Sequence, residues 1–173
     1  MKRFMPDTKI IWVDAHIDAN TPESSPSRNA HGMPLAFLSG MVPMFKNWSC
    51  VDIQRDLCYF GIRSFEEDEA QMISDNNVLV FEPNECDLDK MPMIKDTINK
   101  YFHQYRGHSD KSPYWISFDI DSLDASAFKS TGTAEGGGLS MDFVKKLFET
   151  YANKSIGMDL SEVNCELTTG QAR

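Results

Sequence analysis

The chain has 173 residues, 41% of them hydrophobic, and a formal net charge of -9. This length and composition suit one globular domain with a proper core, and the acidic balance argues against nucleic acid or an anionic membrane as a partner. The four cysteines show no paired metal-finger spacing, and the amino terminus has no apolar signal-peptide core, so we expect a cytoplasmic protein without disulfides.

Five short apolar runs predict buried strands, in chain order 9–13, 57–62, 77–81, 114–118 and 155–158. Between the third and fourth runs, helical periodicity from about Leu88 to Tyr105 predicts a helix with Pro92 near its start. A second helix is predicted after Ser140, which can cap it. The alternation of strands and helices predicts one α/β domain whose parallel sheet is covered on both faces.

Asp14, His16 and Asp18 follow the first predicted strand at every second position. Side chains at alternate positions of an extended segment point to one side, so these three groups can converge on one point. Two carboxylates and an imidazole crowded together need a positive charge between them, and a metal ion is the simplest one. The alternative for any single aspartate after a strand is a helix cap or a turn.

Acidic side chains also follow the second, fourth and fifth predicted strands. They are, in that order, Glu66 and Glu69, Asp119 and Asp121, and Asp159 and Glu162. Since the carboxyl ends of parallel strands line the ligand crevice of such sheets, we expect all of these acids at one edge. The repeated alternation in Asp119 and Asp121 favours a metal site over two unrelated caps.

The ligand types indicate which ion binds and which chemistry follows. Carboxylates with one imidazole and no thiolate favour Mn²⁺ over Zn²⁺. Carboxylates that bridge two ions would hold them close enough to lower the pKa of a shared water toward neutrality, which indicates hydrolysis. His31 lies in a polar loop rather than on an apolar stripe, whereas His103 and His108 are expected on a solvated face.

Four runs of this sequence resemble the arginase family, of the arginase/agmatinase/ureohydrolase superfamily. They occur in the family's order and are Ile11-Trp-Val-Asp14-Ala-His16-Ile-Asp18-Ala-Asn20-Thr-Pro22, Ser27-Arg-Asn29-Ala-His31-Gly32, Ser117-Phe-Asp119-Ile-Asp121-Ser-Leu-Asp124 and Asp159-Leu-Ser-Glu162-Val-Asn164. The resemblance implies a three-layer α/β/α sandwich with a parallel sheet and a binuclear manganese centre. It also implies hydrolysis of L-arginine to L-ornithine and urea, a reaction of arginine metabolism and the urea cycle.

The resemblance further implies a role for each metal-ligating residue. Asp14 and Asp119 would bridge the two ions. Asp18 would ligate the first ion, and His16 and Asp121 would ligate the second. Each ion would therefore be held by at least three side chains of this sequence.

Substrate contacts are implied in the same way. His31 would shuttle a proton to the leaving group, and Glu162 would hold the guanidinium group by charge-assisted hydrogen bonds. The Thr133 hydroxyl would line the pocket. Neutral donors to the α-carboxylate would be Asn20, Ser27 and Asn29. Acids near the α-amino group would be Glu66 and Glu69. A zwitterionic amino acid would thus meet donors at one end and acids at the other.

We expect residues 1–173 to form a single arginase-like domain that lacks the family's amino-terminal segment and carboxy-terminal tail. That segment carries a Gly-Gly-Asp-His run whose histidine would complete the first metal site, and only thirteen residues precede Asp14 here. A homo-oligomer, trimeric in many relatives, is expected, and a mitochondrial location is open if a targeting segment lies upstream.

Two alternatives to arginase activity stay open. One is a catalytically silent arginase-like fragment that binds metal or arginine. The other is a related guanidine hydrolase such as agmatinase. The donor-rich loop from Asn20 to Asn29 favours arginine over agmatine, because a decarboxylated guanidine leaves those donors unpaired.

Overall fold

The computed structural model of the chain describes residues 5–43, 50–128, 130–133 and 135–166. Its strands are β1 (Lys9–Val13), β2 (Leu57–Phe60), β3 (Leu79–Phe81), β4 (Tyr114–Asp119) and β5 (Ser155–Ser161). They form one sheet with the order β3-β2-β1-β4-β5, and each neighbouring pair is parallel. The five predicted strands and the parallel α/β fold are therefore confirmed.

Helices lie between the strands. They are α1 (Pro34–Ser39), α2 (Ile53–Asp56), α3 (Glu67–Asp75), α4 (Met91–Lys100) and α5 (Met141–Tyr151). The helix predicted up to Tyr105 is α4 followed by a π-helical stretch over Tyr101–Tyr105. Ser140 caps α5 as expected, since its hydroxyl accepts a hydrogen bond from the Phe143 N–H. No helix in the described ranges is long and apolar enough to span a membrane.

Apolar side chains form one cluster on each face of the sheet. Alternate residues of β1 divide between the two, with Ile11 and Val13 on one face and Ile10 and Trp12 on the other. Helices α4 and α5 cover the first face, and residues of α1 and α2 contribute to the second. β1 is buried along its whole length, as a central parallel strand is expected to be.

Strand β5 departs from the expectation that every strand is buried on both faces. Ile156, Met158 and Leu160 are 42%, 49% and 56% exposed within the part of the chain that the structure describes. β5 lies at the end of the sheet and pairs with β4 alone among the described strands. An apolar run identifies a strand, but its burial depends on what packs over it.

His108 is buried, so its expected place on a solvated face is wrong. Its Nδ1 lies 3.0 Å from the carbonyl oxygen of Asp7, and its Nε2 lies 3.1 Å from that of Arg55 and 3.3 Å from a carboxylate oxygen of Asp56. The imidazole therefore joins three segments that are distant in sequence, which periodicity does not reveal. His103 keeps part of its side chain exposed.

A close backbone contact fixes the segment that follows β4. The Leu139 N–H donates to the Ser122 carbonyl at 2.8 Å, and the Asp124 N–H donates to the Leu139 carbonyl at 3.1 Å. A Cβ atom on Gly138 would lie 2.5 Å from the carbonyl carbon of Leu123. Glycine is the residue that fits this approach without a backbone shift.

We expect Gly138→Ala to lower the free energy of unfolding by about 1–3 kcal/mol, the usual cost of forcing an extra methyl group into a packed site. Urea unfolding followed by circular dichroism measures this. Gly136→Ala is the matched control, because its Cβ would meet no atom within 4 Å. Equal unfolding midpoints for the two variants would contradict the steric argument.

Candidate active site

Side chains from several strand ends converge at the carboxyl edge of the sheet. Val13 pairs with Phe118, so Asp14 and Asp119 leave their strands side by side. There a cavity of about 140 Å³ opens. It is lined by every predicted metal ligand and substrate contact except Asn29, namely Asp14, His16, Asp18, Asn20, Ser27, His31, Glu66, Glu69, Asp119, Asp121, Thr133 and Glu162, and also by Ser25 and Gly32. Asp159, an acid expected at the same edge, lies outside this lining and accepts hydrogen bonds from the Trp115 indole and the Ser117 hydroxyl.

His16 lies between two buried carboxylates. Its Nδ1 is 3.0 Å from Oδ2 of Asp121 and 3.6 Å from Oδ1 of Asp14. One donor atom from each of these three residues lies within 4.8 Å of the others, and the same holds for Asp119, Asp121 and Glu162. Both groups have the spacing that a divalent ion needs, and the first combines oxygen with imidazole nitrogen.

Hydrogen bonds from residues outside the candidate metal ligands orient two of the carboxylates. The Trp12 indole donates to Oδ2 of Asp14 at 2.9 Å, and the Ser161 hydroxyl donates to Oδ2 of Asp119 at 2.9 Å. Neither donor was singled out from the sequence, where Trp12 belongs to an apolar run. The available signal was its position two residues before Asp14, which places both side chains on one side of the strand.

The carboxylates cannot all ionise easily in this crowded edge. Burial raises the pKa of Asp14 to about 6, and burial together with the Asp14 charge raises the pKa of Asp18 to about 9 and of Asp119 to about 8. Burial would also raise the pKa of Asp121, but hydrogen bonding to His16 lowers it to about 2, and the same bond raises the pKa of His16 to about 11. Ionisation of all four acids beside one imidazolium would leave negative charge uncompensated, and a divalent cation would supply the missing positive charge.

Thr133, Glu162 and His31 form a second contact network in the cavity. The Thr133 hydroxyl lies 2.8 Å from Oδ2 of Asp121 and 3.2 Å from Oε2 of Glu162, so its one proton can serve either. Nδ1 of His31 lies 3.2 Å from Oε1 of Glu162, and the His31 side chain is 54% exposed. The network connects the acidic cluster to the mouth of the cavity.

Asp18 and Glu162 both adopt left-handed backbone angles, with φ of 60° and 57°. This region is uncommon for residues other than glycine and costs of order 1–3 kcal/mol unless the surroundings hold it. Strain of this kind concentrates at functional sites, where it fixes a side chain in place. The angles are compatible with a role for both carboxylates, and Arg28 and Asn77 adopt similar angles outside the cavity lining.

The loop expected at the amino-acid end of a substrate only partly faces the cavity. The Asn20 side-chain amide donates to Oε2 of Glu66 at 2.8 Å, and the Ser27 hydroxyl lies 3.4 Å from that of Ser25. Asn29 is exposed and outside the cavity lining. Ser25 was not selected from the sequence, because nothing distinguishes it from the other serines of the loop.

Glu66 and Glu69 differ in what they can offer a ligand. Glu69 is buried, and its two oxygens accept the N–H groups of Ala19 at 2.8 Å and of Glu66 at 3.1 Å. Burial, and then its contact with Glu66, raises the pKa of Glu69 to about 7. Glu66 is more exposed, and hydrogen bonding to Glu69 and Asn20 lowers its pKa. Glu66 is therefore the acid better suited to meet a cation.

A family model described as the arginase family matches residues 1–173. The chain belongs to the arginase family. The arginase of Coccidioides immitis is 36% identical over 173 residues, a match that covers 92% of this chain and 51% of that relative. The arginase of Neurospora crassa is 34% identical over 166 residues, covering 90% of this chain and 44% of the relative.

Solved arginase structures have the same fold. The arginase of Bacillus subtilis superposes with a TM-score of 0.82 at 28% identity, covering 96% of this chain and 58% of that one. The Entamoeba histolytica arginase in complex with L-ornithine gives a TM-score of 0.80 at 31% identity, covering 92% and 53%. The resemblance stated from the sequence is confirmed. The chain spans about half the length of the curated relatives it matches.

Without divalent cations, we expect stability to fall as pH rises from 6 to 9. The pKa values of Asp18, Asp119 and His16 are higher in the folded protein than their ordinary values, so the folded state holds more protons than the unfolded chain in this range. The free energy of unfolding then decreases with pH by about 1.4 kcal/mol per pH unit for each such proton. Urea unfolding in EDTA at pH 6, 7, 8 and 9 measures the slope.

A divalent cation should reduce this slope, because the ion replaces the protons that the acids otherwise hold. The same urea unfolding series in about 1 mM Mn²⁺ provides the comparison, since an ion that binds the folded state stabilises it according to its concentration relative to its Kd. Asp18→Asn, which cannot ionise, should give a shallower slope in EDTA. A midpoint that stays constant or rises between pH 6 and 9 in EDTA would contradict the charge argument.

Proposed function

We propose that this chain carries the active centre of a manganese-dependent arginase, which hydrolyses the guanidinium group of L-arginine to L-ornithine and urea. The main support for this proposal is the geometry of the cavity. Donor atoms of Asp14, His16 and Asp121 lie within 4.8 Å of one another there, and His31 contacts Glu162 in the same cavity. Membership of the arginase family supports the same reaction.

The metal-binding residues follow from the donor atoms. His16 and Asp121 would hold one Mn²⁺, Asp18 would hold the other, and Asp14 and Asp119 would bridge them. Mn²⁺ is proposed because these donors are carboxylate oxygens and a single imidazole, with no thiolate. When bound, the two ions would supply Lewis-acid activation of the attacking water.

We infer that the ion at Asp18 binds more weakly than the ion at His16. Among the described residues, no second imidazole joins Asp18, whereas His16 and Asp121 are already in contact. Occupancy should therefore be graded, with the His16 ion first. The rate of urea release should follow occupancy by the Asp18 ion, because both ions are needed to acidify the attacking water fully.

Glu162 and Thr133 would orient the guanidinium group. A carboxylate can accept two parallel N–H bonds from a planar guanidinium, which fixes both the position and the plane of the group. The Thr133 hydroxyl lies 3.2 Å from Glu162 and 2.8 Å from Asp121, so Glu162 lies beside a proposed metal ligand and the one hydroxyl proton can be donated to either carboxylate. The guanidinium carbon would thus face the ions.

His31 would protonate the leaving nitrogen of ornithine. Its Nδ1 is 3.2 Å from Oε1 of Glu162, so it lies at the part of the cavity where Glu162 would hold the guanidinium. Its half-exposed side chain can exchange protons with solvent. An imidazole at this place can serve as a general acid, which contributes about 10²–10⁴-fold to such reactions.

The amino-acid end of arginine would lie toward the loop at the cavity mouth. Glu66 and Glu69 would provide negative charge near the α-ammonium group, with Glu66 the more accessible of the two. Asn20, Ser27 and Asn29 would donate to the α-carboxylate. Agmatine has no carboxylate to pair with these donors, so we expect arginine to be preferred.

A catalytically silent arginase-like module is the second candidate. It is favoured by the metal-binding groups of the described residues, in which no second imidazole joins Asp18. Three expectations from the sequence stay predictions. They are that residues 1–173 form one domain, that the chain forms a homo-oligomer, and that it is located in the cytoplasm or the mitochondrion.

With Mn²⁺, the purified chain should release urea from L-arginine and much less from agmatine, as measured by colorimetric urea assay. His31→Ala should lower kcat by about 100-fold, the lower end of the usual contribution of a general acid. His103→Ala is the control, because His103 lies outside the cavity. A folded chain saturated with Mn²⁺ that releases no urea would favour the silent module.

His16→Ala should remove the tighter manganese site, since it deletes the imidazole that lies 3.0 Å from Asp121. Elemental analysis after gel filtration gives the manganese content per chain. We expect a decrease of about one ion, and the His103→Ala control should retain the parent content. An unchanged content in folded His16→Ala protein would refute the assignment of this site.

A further inference from the structure

Arg63 reaches three segments around the acidic cluster. It follows β2, and its guanidinium donates to the carbonyl oxygens of Gly61 at 3.0 Å, Asp121 at 2.9 Å, Glu135 at 2.8 Å and Gly136 at 3.1 Å. Longer contacts of 3.4 Å go to the carbonyls of residues 122 and 123. One side chain thus connects the end of β2, the turn that carries Asp121 and the loop that follows Thr133.

All of these hydrogen bonds go to main-chain carbonyl oxygens rather than to carboxylates. The Arg63 charge therefore leaves the side-chain oxygens of Asp121 available for His16, Thr133 and an ion. Its Nε, Nη1 and Nη2 atoms each take part, which uses the planar fork that distinguishes arginine from lysine. A lysine ammonium has three N–H donors on one nitrogen atom, so it cannot reproduce contacts that Arg63 makes from three separate nitrogens.

The two segments that Arg63 joins also carry side chains that contact each other. Asp121 belongs to the first, and Thr133 lies two residues before the Glu135 carbonyl of the second. The Thr133 hydroxyl is 2.8 Å from Asp121. Asp124 adds a tie between the same segments, because its carboxylate accepts the N–H groups of residues 137 and 138 at 2.7 and 3.1 Å.

We propose that Arg63 is a positioning residue that holds Asp121 and Thr133 in the geometry that binds the His16 ion. It acts through the main chain and touches neither substrate nor metal. The role of Asp121 as a ligand rests on the proposed function, whereas the restraint on the two segments does not. Residues that orient metal ligands from outside typically change metal affinity by about 10–100-fold.

The test compares Arg63→Lys, which keeps the charge, and Arg63→Met, which removes it. Arg106→Lys is the matched control, because Arg106 also donates to main-chain carbonyls, those of Asn76 and Asn77, away from the cavity. Circular dichroism and urea unfolding establish that each variant is folded. If Arg63→Met does not fold, Arg63→Lys still tests the geometry.

The first readout is amide hydrogen exchange in the metal-free protein. In Arg63→Lys, we expect exchange to become about tenfold faster or more in residues 121–124 and 135–139, with residues 10–13 of β1 unchanged, because only the local restraint is lost. Arg106→Lys should not change these segments. Unchanged exchange, or an equal increase throughout the chain, would overturn the proposal.

The second readout is the Kd for Mn²⁺, from the free-ion signal in electron paramagnetic resonance. We expect Arg63→Lys to raise the Kd by about 10-fold or more. A Kd within twofold of the parent would overturn the metal part of the proposal, and so would a parent chain that binds no Mn²⁺. A parent that binds Mn²⁺ but releases no urea would refute the arginase proposal alone.

Discussion

Buried negative charge at the ends of β1 and β4 is the constraint on which the surrounding structure depends. The parallel register brings Asp14 and Asp119 next to each other, both nearly inaccessible to water. Carboxylates in such a place ionise together only if cations or hydrogen-bond donors compensate them. The indole of Trp12, the hydroxyl of Ser161 and the imidazole of His16 are all directed at these acids for that reason.

The same aspartates that end the strands also begin the turns after them. Asp119 accepts the Asp121 N–H at 2.9 Å, and Asp14 accepts the His16 N–H at 2.8 Å. Capping and metal binding are therefore not competing explanations of these residues. The caps set the directions of Asp121 and His16, and the two side chains then meet at 3.0 Å. Local backbone chemistry thereby prepares a cluster of donor groups that could hold a metal ion.

Much of the fold and the centre of the site were predictable because each depended on short-range patterns. Apolar runs marked the five strands, and alternation marked Asp14 with His16 and Asp119 with Asp121, since the period of a strand is two residues. The predictions that were wrong concerned the solvent exposure of side chains. β5 is exposed and His108 is buried, because neither property is set by neighbours in sequence.

Residue types and their spacing were enough to establish the parallel α/β class, the acidic edge and the resemblance to arginases, because strand period and ligand chemistry are local properties. Tertiary structure alone decided which side chains support that edge. Arg63 contacts carbonyls up to 73 residues away, and His31 meets Glu162 across 131 residues. The positions of such partners depend on how β2, β4 and β5 pack together, and no pattern within a single segment contains that information.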